Sequence, residues 1–310
     1  MVFPTLSDDG SSGGRANGAG DLYRDADAAY LWACMRDVAV FKPGNVSLAS
    51  AGHGMAAVQF LSSAAASAGP LLRTGAPVGA RIEGAVVATR AVAGCNTNLG
   101  IVLLCAPVAL AAERAAAKGE AALLGALGGV LDGLDVADAC AAYRAIALAS
   151  PGGLGNVGEQ DVSVPPTMDL KSAMALAADR DMIARQYARG FDDLAIAGLR
   201  PFLRETDVGG DLAACVQRLF LRFLSAFPDS HIVRKSGLPA ARSVQAEAAP
   251  WLARLERDES AGSCAAFTAW DASLKQRGLN PGTSADLTVC TLFMAALLRP
   301  ALIGRRARKA

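Results

Sequence analysis

From Leu99 to Ala112 the chain runs fourteen residues without a charged or strongly polar side chain, until Glu113 and Arg114 end the run. A helix that is apolar on every face has no side to show to water, so it has to sit in the middle of something. A membrane span needs roughly 20 such residues, which excludes that solution. We therefore expect a helix over 99–118 as the buried centre of a soluble fold, with the other elements arranged to cover it. No stretch alternates with a period of two, and aromatic residues make up only 5% of a chain dominated by alanine. Close-packed helices suit that composition and sheets do not. The expected class is all-α, a single compact multi-helix domain of about ten helices.

The chain order supports one unit. Residues 1–20 read as a flexible leader, 21–303 as the helical domain, and 304–310 as a basic tail. Apolar residues recur at helical spacing over 21–41, stopped by Pro43, and again over 55–68, where Gly69-Pro70 closes the run. Residues 121–134 and 136–149 form a pair, with Asp135 as N-cap of the second. A connection over 150–167 follows, then one helix over 169–188. Residues 228–235 read as a charged turn, and the last helix is the apolar run 287–302. The net charge of +1 argues against a nucleic-acid partner. Seven cysteines stand singly with no CxxC pair, which points to reduced thiols in a cytoplasmic protein rather than to zinc or disulfides. A homo-oligomer is allowed but not required.

Four polar segments interrupt this apolar background. Lys42-Pro43-Gly44-Asn45, with Ser47 after it, sets a cation beside a flexible backbone and an amide, which suits phosphate oxygens as well as a plain helix stop. It is not a Walker A loop. Asn96-Thr97-Asn98 stands at the mouth of the apolar helix. Those amides either satisfy its orphan N–H groups or leave them for a ligand. Pro228-Asp229-Ser230-His231-Ile232-Val233-Arg234-Lys235 combines a carboxylate, an imidazole and two cations. Asn280-Pro281-Gly282-Thr283-Ser284-Ala285-Asp286 is a turn in which Thr283 or Ser284 caps the next helix, with Asp286 in its first turn. On the 169–188 helix, Asp181 and Arg185 are i,i+4 neighbours, either a surface pair or a magnesium ligand or base held by Arg185. His53 and His231 are the only histidines, open to catalytic or structural reading. No nucleophile elbow is present. The glycines at 152, 153 and 155 follow a helix rather than a strand, a poor match to a dinucleotide fingerprint.

Taken in order, these segments resemble the triphosphoribosyl-dephospho-CoA synthase family, which makes the prosthetic-group precursor of citrate lyase and malonate decarboxylase. The resemblance runs from Lys42-Pro43-Gly44-Asn45-Val46 through Asn96–Gly100 and Leu103-Leu104-Cys105-Ala106-Pro107 to Pro228–Lys235 and Asn280–Leu287. It implies an all-helical transferase that takes ATP with Mg²⁺, displaces adenine from C1′, and moves the 5-triphosphoribosyl group to an acceptor hydroxyl in an α-glycosidic bond. It further implies that Asp181, Asp229 and Asp286 supply base and metal ligands. Lys42, Gly44, Asn45, Ser47, His53, Arg185, Arg234, Lys235, Asn280 and Ser284 would contact the nucleotide, and Asn96 and Asn98 the ribose hydroxyls. The chain departs from the dephospho-CoA-using members where they carry an acidic His-x-Asp-Met and a later Glu-Asp. Here the positions read Gly52-His53-Gly54-Met55 and Val58-Gln59. That likens it to a divergent archaeal and methylotroph branch, for which a ribitol-bearing pterin precursor of tetrahydromethanopterin is the other acceptor. An adenine-releasing hydrolase and a non-catalytic helical binding protein are the alternatives.

Overall fold

The computed structural model describes residues 22–149 and 165–304. The leader, most of the 150–167 connection with its glycines, and the basic run 305–309 lie outside them. Fourteen α-helices are present and no strands among the described residues. They are α1 (Ala26–Ala39), α2 (Ala57–Leu71), α3 (Val78–Ala93), α4 (Leu99–Arg114), α5 (Glu120–Asp132), α6 (Val136–Ala149), α7 (Leu170–Ala175), α8 (Met182–Ala188), α9 (Arg200–Asp207), α10 (Leu212–Ala226), α11 (Ser230–Ser236), α12 (Leu238–Leu255), α13 (Ala265–Gln276) and α14 (Gly282–Leu298). The count exceeds ten because the 169–188 segment breaks into α7 and α8, and the charged turn is itself a helix, α11. Pro70 does not end α2 but sits in its last turn. Asp135 caps α6 as expected, accepting the Asp138 N–H at 2.8 Å.

Two central helices, rather than one, organise the fold. All of α4 from Leu99 to Ala112 is buried, and it stops at Arg114, four residues earlier than expected. It packs against α14, in which only Gly282 and Asp286 escape full burial. The hydroxyls of Thr288 and Thr291 on α14 donate to the carbonyls four residues back, each at 2.8 Å, so these polar groups are satisfied inside an apolar layer. Around the pair lie α1, α3, α5 and the α8–α9 segment.

A second cluster of buried apolar residues joins α10, α12 and α13. Helix α10 serves both cores, with Val216, Leu219 and Phe223 turned to the first and Phe220, Leu221 and Leu224 to the second. No helix among the described residues is long and apolar enough to cross a membrane. All seven cysteines are free thiols.

Pro107 stands inside α4, where it has no N–H for the carbonyl of Leu103. The Tyr187 hydroxyl supplies the missing donor, 2.6 Å from that carbonyl oxygen, from a ring with no exposed surface. Tyr187→Phe strands the carbonyl in the core. We expect it to cost about 1–3 kcal/mol in chemical denaturation, and unchanged stability would show that the α4 break is satisfied some other way.

Candidate active site at the converging helix ends

The N-terminal ends of α4, α8, α11 and α14 open onto one cavity of about 470 Å³. Asp37, Asp181 and Asp286 line it together with Arg180 and Arg234, so three carboxylates face two guanidinium groups. Asn45, Asn96, Asn98, His231 and Asn280 complete the polar side. The apolar part of the lining comes from Phe60, Ile101, Ile146, Met174 and Leu176, with Tyr143 among them.

The mouth of α4 shows how the asparagines divide their work. Asn96 Oδ1 accepts the Leu99 N–H at 3.1 Å, while the Asn98 amide turns away to Ser67 Oγ at 3.2 Å and leaves α4 without a side-chain cap. Among the described residues nothing accepts the N–H groups of Gly100 and Ile101, and both residues line the cavity. Two free donors at the positive end of a sixteen-residue helix are the chemistry that suits an anion.

Asp286 lies against this mouth. A Cβ built on Gly100 would overlap an Asp286 carboxylate oxygen and sit 2.5 Å from its Cγ, so only glycine leaves room for the carboxyl. Asp286 is the fifth residue of α14, not part of its first turn. No hydrogen-bond donor reaches its carboxyl among the described residues. Burial in the floor of the cavity pushes its pKa well above the carboxylate range; Asp37, Asp229 and Asp181 push the same way and Arg234 opposes them. A carboxyl whose hold on its proton is strengthened in this way is equipped for proton transfer.

Asp229 occupies a different place. It is 2% exposed and does not line the cavity. Oδ1 accepts the N–H groups of His231 and Ile232, capping α11, and Oδ2 accepts the Ser284 N–H and hydroxyl at 2.7 and 2.8 Å. Burial raises its pKa against the pull of these donors. The carboxylate is saturated, and it ties α11 to α14 rather than reaching substrate. Ser284 is likewise spent on Asp229, so neither Thr283 nor Ser284 caps α14. Asp229→Ala removes four hydrogen bonds at two helix starts. The expected loss is at least about 3 kcal/mol, read by denaturant unfolding, and a loss under 1 kcal/mol would contradict this junction role.

Asp181 lines the cavity as the N-cap of α8, its Oδ1 accepting from Ile183 and Ala184 and its Oδ2 from Arg234 at 3.0 Å. Its extended backbone is what splits the expected helix over 169–188. The i,i+4 partnership with Arg185 does not form; Arg185 pairs instead with Asp193 at 2.7 Å, outside the cavity lining. Among the described residues no three His, Cys, Asp or Glu side chains come together to hold a metal. The expected ligand set of Asp181, Asp229 and Asp286 is therefore not assembled.

The first loop is a wall rather than a phosphate clamp. Lys42 has no exposed surface; it pairs with Asp37 at 3.1 Å and donates to the carbonyls of Asp37 and Val40. Gly44, at φ +78, gives its N–H to Asp271 Oδ1 at 2.7 Å, and a Cβ there would meet Pro281 at 2.8 Å. That contact presses the first loop onto the turn before α14, where the Asn45 amide donates to Asn280 Oδ1 at 3.1 Å. Ser47 is buried, and the His53 ring bonds the Gly44 carbonyl at 2.8 Å; neither lines the cavity. Lys235 points to solvent. His231 does line the cavity, with its buried Nε2 unpartnered among the described residues. Burial, helped by Arg234, Lys235 and His53, pushes its pKa down to about 4, which leaves a neutral imidazole at physiological pH.

Asp37 and Arg180 are among the cavity residues to which sequence reading gave no role, and Gly100 was named there only within the Asn96–Gly100 run. Asp37 had a signal, because it falls on the buried stripe of α1 with Tyr30 and Ala33, where an apolar residue belongs.

The family model described as ATP:dephospho-CoA triphosphoribosyl transferase matches residues 23–303. Among solved structures, a chain from Archaeoglobus fulgidus, provisionally assigned as a triphosphoribosyl-dephospho-CoA synthase, is similar with a TM-score of 0.61 at 24% identity. The likeness covers 77% of this chain and 99% of that one, and at this identity it bears on the fold. No curated protein matches the chain in sequence. The family match takes in every helix from α1 to α14 and every residue of the cavity wall. The chain belongs to the ATP:dephospho-CoA triphosphoribosyl transferase family.

Proposed function

We propose that the cavity at the converging helix ends binds ATP and transfers its 5-triphosphoribosyl group to an acceptor hydroxyl, releasing adenine and leaving an α-glycosidic bond. The observation that carries the reading is the Asp286 carboxyl, without a hydrogen-bond donor, against Gly100 at the open N-terminus of α4. Displacing adenine from C1′ builds positive charge on the ribose ring and leaves a basic purine that needs a proton. Asp286 answers the second need. The free N–H groups of Gly100 and Ile101, with Arg234 and Arg180, answer the charge of the triphosphate. Asn45, Asn98 and Asn280 line the same cavity, and their side-chain oxygens or amides would orient ribose hydroxyls. Magnesium arrives with the triphosphate as part of the substrate.

This family is one of enzymes, so the non-catalytic alternative falls away. For the acceptor, family membership favours dephospho-CoA. A ribitol-bearing pterin precursor of tetrahydromethanopterin is the second reading, favoured by the loop around Met55, which joins the apolar part of the lining without a carboxylate. Chromatographic detection of adenine from ATP with Mg²⁺ separates them, run with dephospho-CoA, with the pterin precursor and with neither. Adenine dependent on one acceptor supports transfer and names the substrate. Adenine in the absence of any acceptor would mean hydrolysis, and none under any condition would refute the reading.

A further inference from the structure

Asn45 and Asn280 differ from the other cavity asparagines in being bonded to each other. The Asn45 amide donates to Asn280 Oδ1 at 3.1 Å, whereas Asn96 and Asn98 bond Leu99 and Ser67. Both members of the pair are more than nine-tenths buried, at 6% and 8% exposed, and both line the cavity. Their backbones are pinned as well. The Asn45 N–H goes to the Lys42 carbonyl at 3.0 Å, and the Asn280 carbonyl accepts the Gly282 N–H at 2.8 Å. The bond between the side chains uses one polar atom of each amide and leaves the other. Among the described residues Asn45 Oδ1 has no donor and Asn280 Nδ2 no acceptor, yet neither is sealed in as the unpartnered His231 Nε2 is. A held acceptor therefore stands beside a held donor at the cavity. Turning both amides over exchanges their roles and leaves the same complement.

We propose that the Asn45–Asn280 pair grips the vicinal 2′- and 3′-hydroxyls of the ATP ribose and makes the reaction specific for ribonucleotides. A hydroxyl both donates and accepts, so one member of the diol gives its proton to Asn45 Oδ1 while its neighbour accepts from Asn280 Nδ2. The triphosphate offers acceptors alone and leaves Asn45 Oδ1 unsatisfied. Asn280 leads into α14, whose fifth residue is Asp286. About 6 Å of helix rise thus separates the start of α14 from the residue read as the purine's proton donor, and the ribose is the part of ATP joined to that purine. As positive charge builds on C1′, the hydroxyl on the adjoining carbon becomes a stronger donor and its hydrogen bond tightens. The grip therefore acts on turnover more than on ATP binding.

The proposal rests on the transfer reading, and its test separates the two. Release of the free base by the full-length wild type is compared for ATP, 2′-deoxy-ATP, 3′-deoxy-ATP and ITP, with the acceptor that supports turnover. A site built to bond a hydroxyl rejects the analogue that lacks it, and the expected fall in kcat/KM for each deoxy nucleotide is roughly 10²–10⁴-fold. Removing the 2′-oxygen makes the glycosidic bond easier to break in solution, so a slower 2′-deoxy substrate reports the contact and not intrinsic reactivity. In Asn45→Ala the deoxy nucleotides should come within about tenfold of ATP, because the variant no longer has the acceptor to lose. Its preference for ATP over ITP should match wild type. Should Asn45→Ala fail to fold, Asn280→Ala is read by the same ratios. A wild-type penalty below about tenfold, or one undiminished in the folded variant, would overturn the proposal. So would a variant that alters the preference between ATP and ITP, since the pair would then read the base. Wild type that releases no adenine from ATP with any acceptor would sink the transfer reading itself. Equilibrium dialysis of the same nucleotides then decides the grip, with binding of the deoxy analogues about three- to tenfold weaker expected and equal binding refuting it.

Discussion

Asp286→Asn is expected to slow adenine release by roughly 10²–10⁴-fold and, in the same protein, to raise the melting temperature at neutral pH. The two effects share a cause. Burial and the neighbouring Asp37, Asp229 and Asp181 raise the native carboxyl's pKa, so the native state holds the proton more tightly than the unfolded chain does. Below the ordinary carboxylate range both states are protonated, and the group costs nothing. As pH rises through the window between the unfolded and native values the unfolded state ionises first, and wild-type stability declines; above that window the penalty is constant. The amide cannot ionise and escapes it. Thermal unfolding of both proteins at pH 4 and pH 7 reads the sign directly, with the gap between them wider at pH 7. An active Asp286→Asn enzyme would remove Asp286 from the chemistry. A variant less stable than wild type at neutral pH would remove the electrostatic account.

Gly100→Ala carries the second large effect. Alanine inside a helix ordinarily gains about 1 kcal/mol over glycine. Here the new methyl would overlap the Asp286 carboxylate and lie 2.8 Å from Ile183 Cδ1, so the carboxyl has to swing away from the mouth of α4. Displacing a reacting group by about 1 Å costs on the order of 10²-fold in rate, and the overpacking costs about 1–3 kcal/mol. A double-mutant cycle checks the origin of that cost. In an Asp286→Ala background the same Gly100→Ala change should be close to neutral in denaturant unfolding. Equal destabilisation in both backgrounds would place the strain at Ile183 instead.

What the sequence made legible, and what it did not, follows from how far each interaction reaches along the chain. Helix α4 could be read because fourteen apolar residues admit one kind of environment, and the all-α class followed from the same patterning. The first turn of α14 could not, because its Ser284 N–H goes to Asp229, 55 residues earlier, in place of a local cap. Asp181 and Asp229 looked like ligands for a related reason. An aspartate that caps a short helix and one that does chemistry share the same neighbours in sequence, and only the donors collected by each carboxylate tell them apart. Arg234 meets Asp181 across 53 residues, so the pairing of Asp181 with Arg185 was the local guess that long-range structure overrode. Lys42 was misplaced although its partner Asp37 lies only five residues upstream. A lone carboxylate on the apolar stripe of α1 was the legible sign that this lysine is held inside the protein.

The central claim is that one cavity, with Asp286 at its floor, carries out triphosphoribosyl transfer. Its most direct test is mass-spectrometric counting, in one reaction mixture, of adenine released and triphosphoribosylated acceptor formed, with wild type and Asp286→Asn side by side. The account predicts one adenine for each product molecule from the wild type, and neither from an Asp286→Asn protein that still binds ATP. Adenine in clear excess over product, or equal turnover by the two proteins, would contradict it.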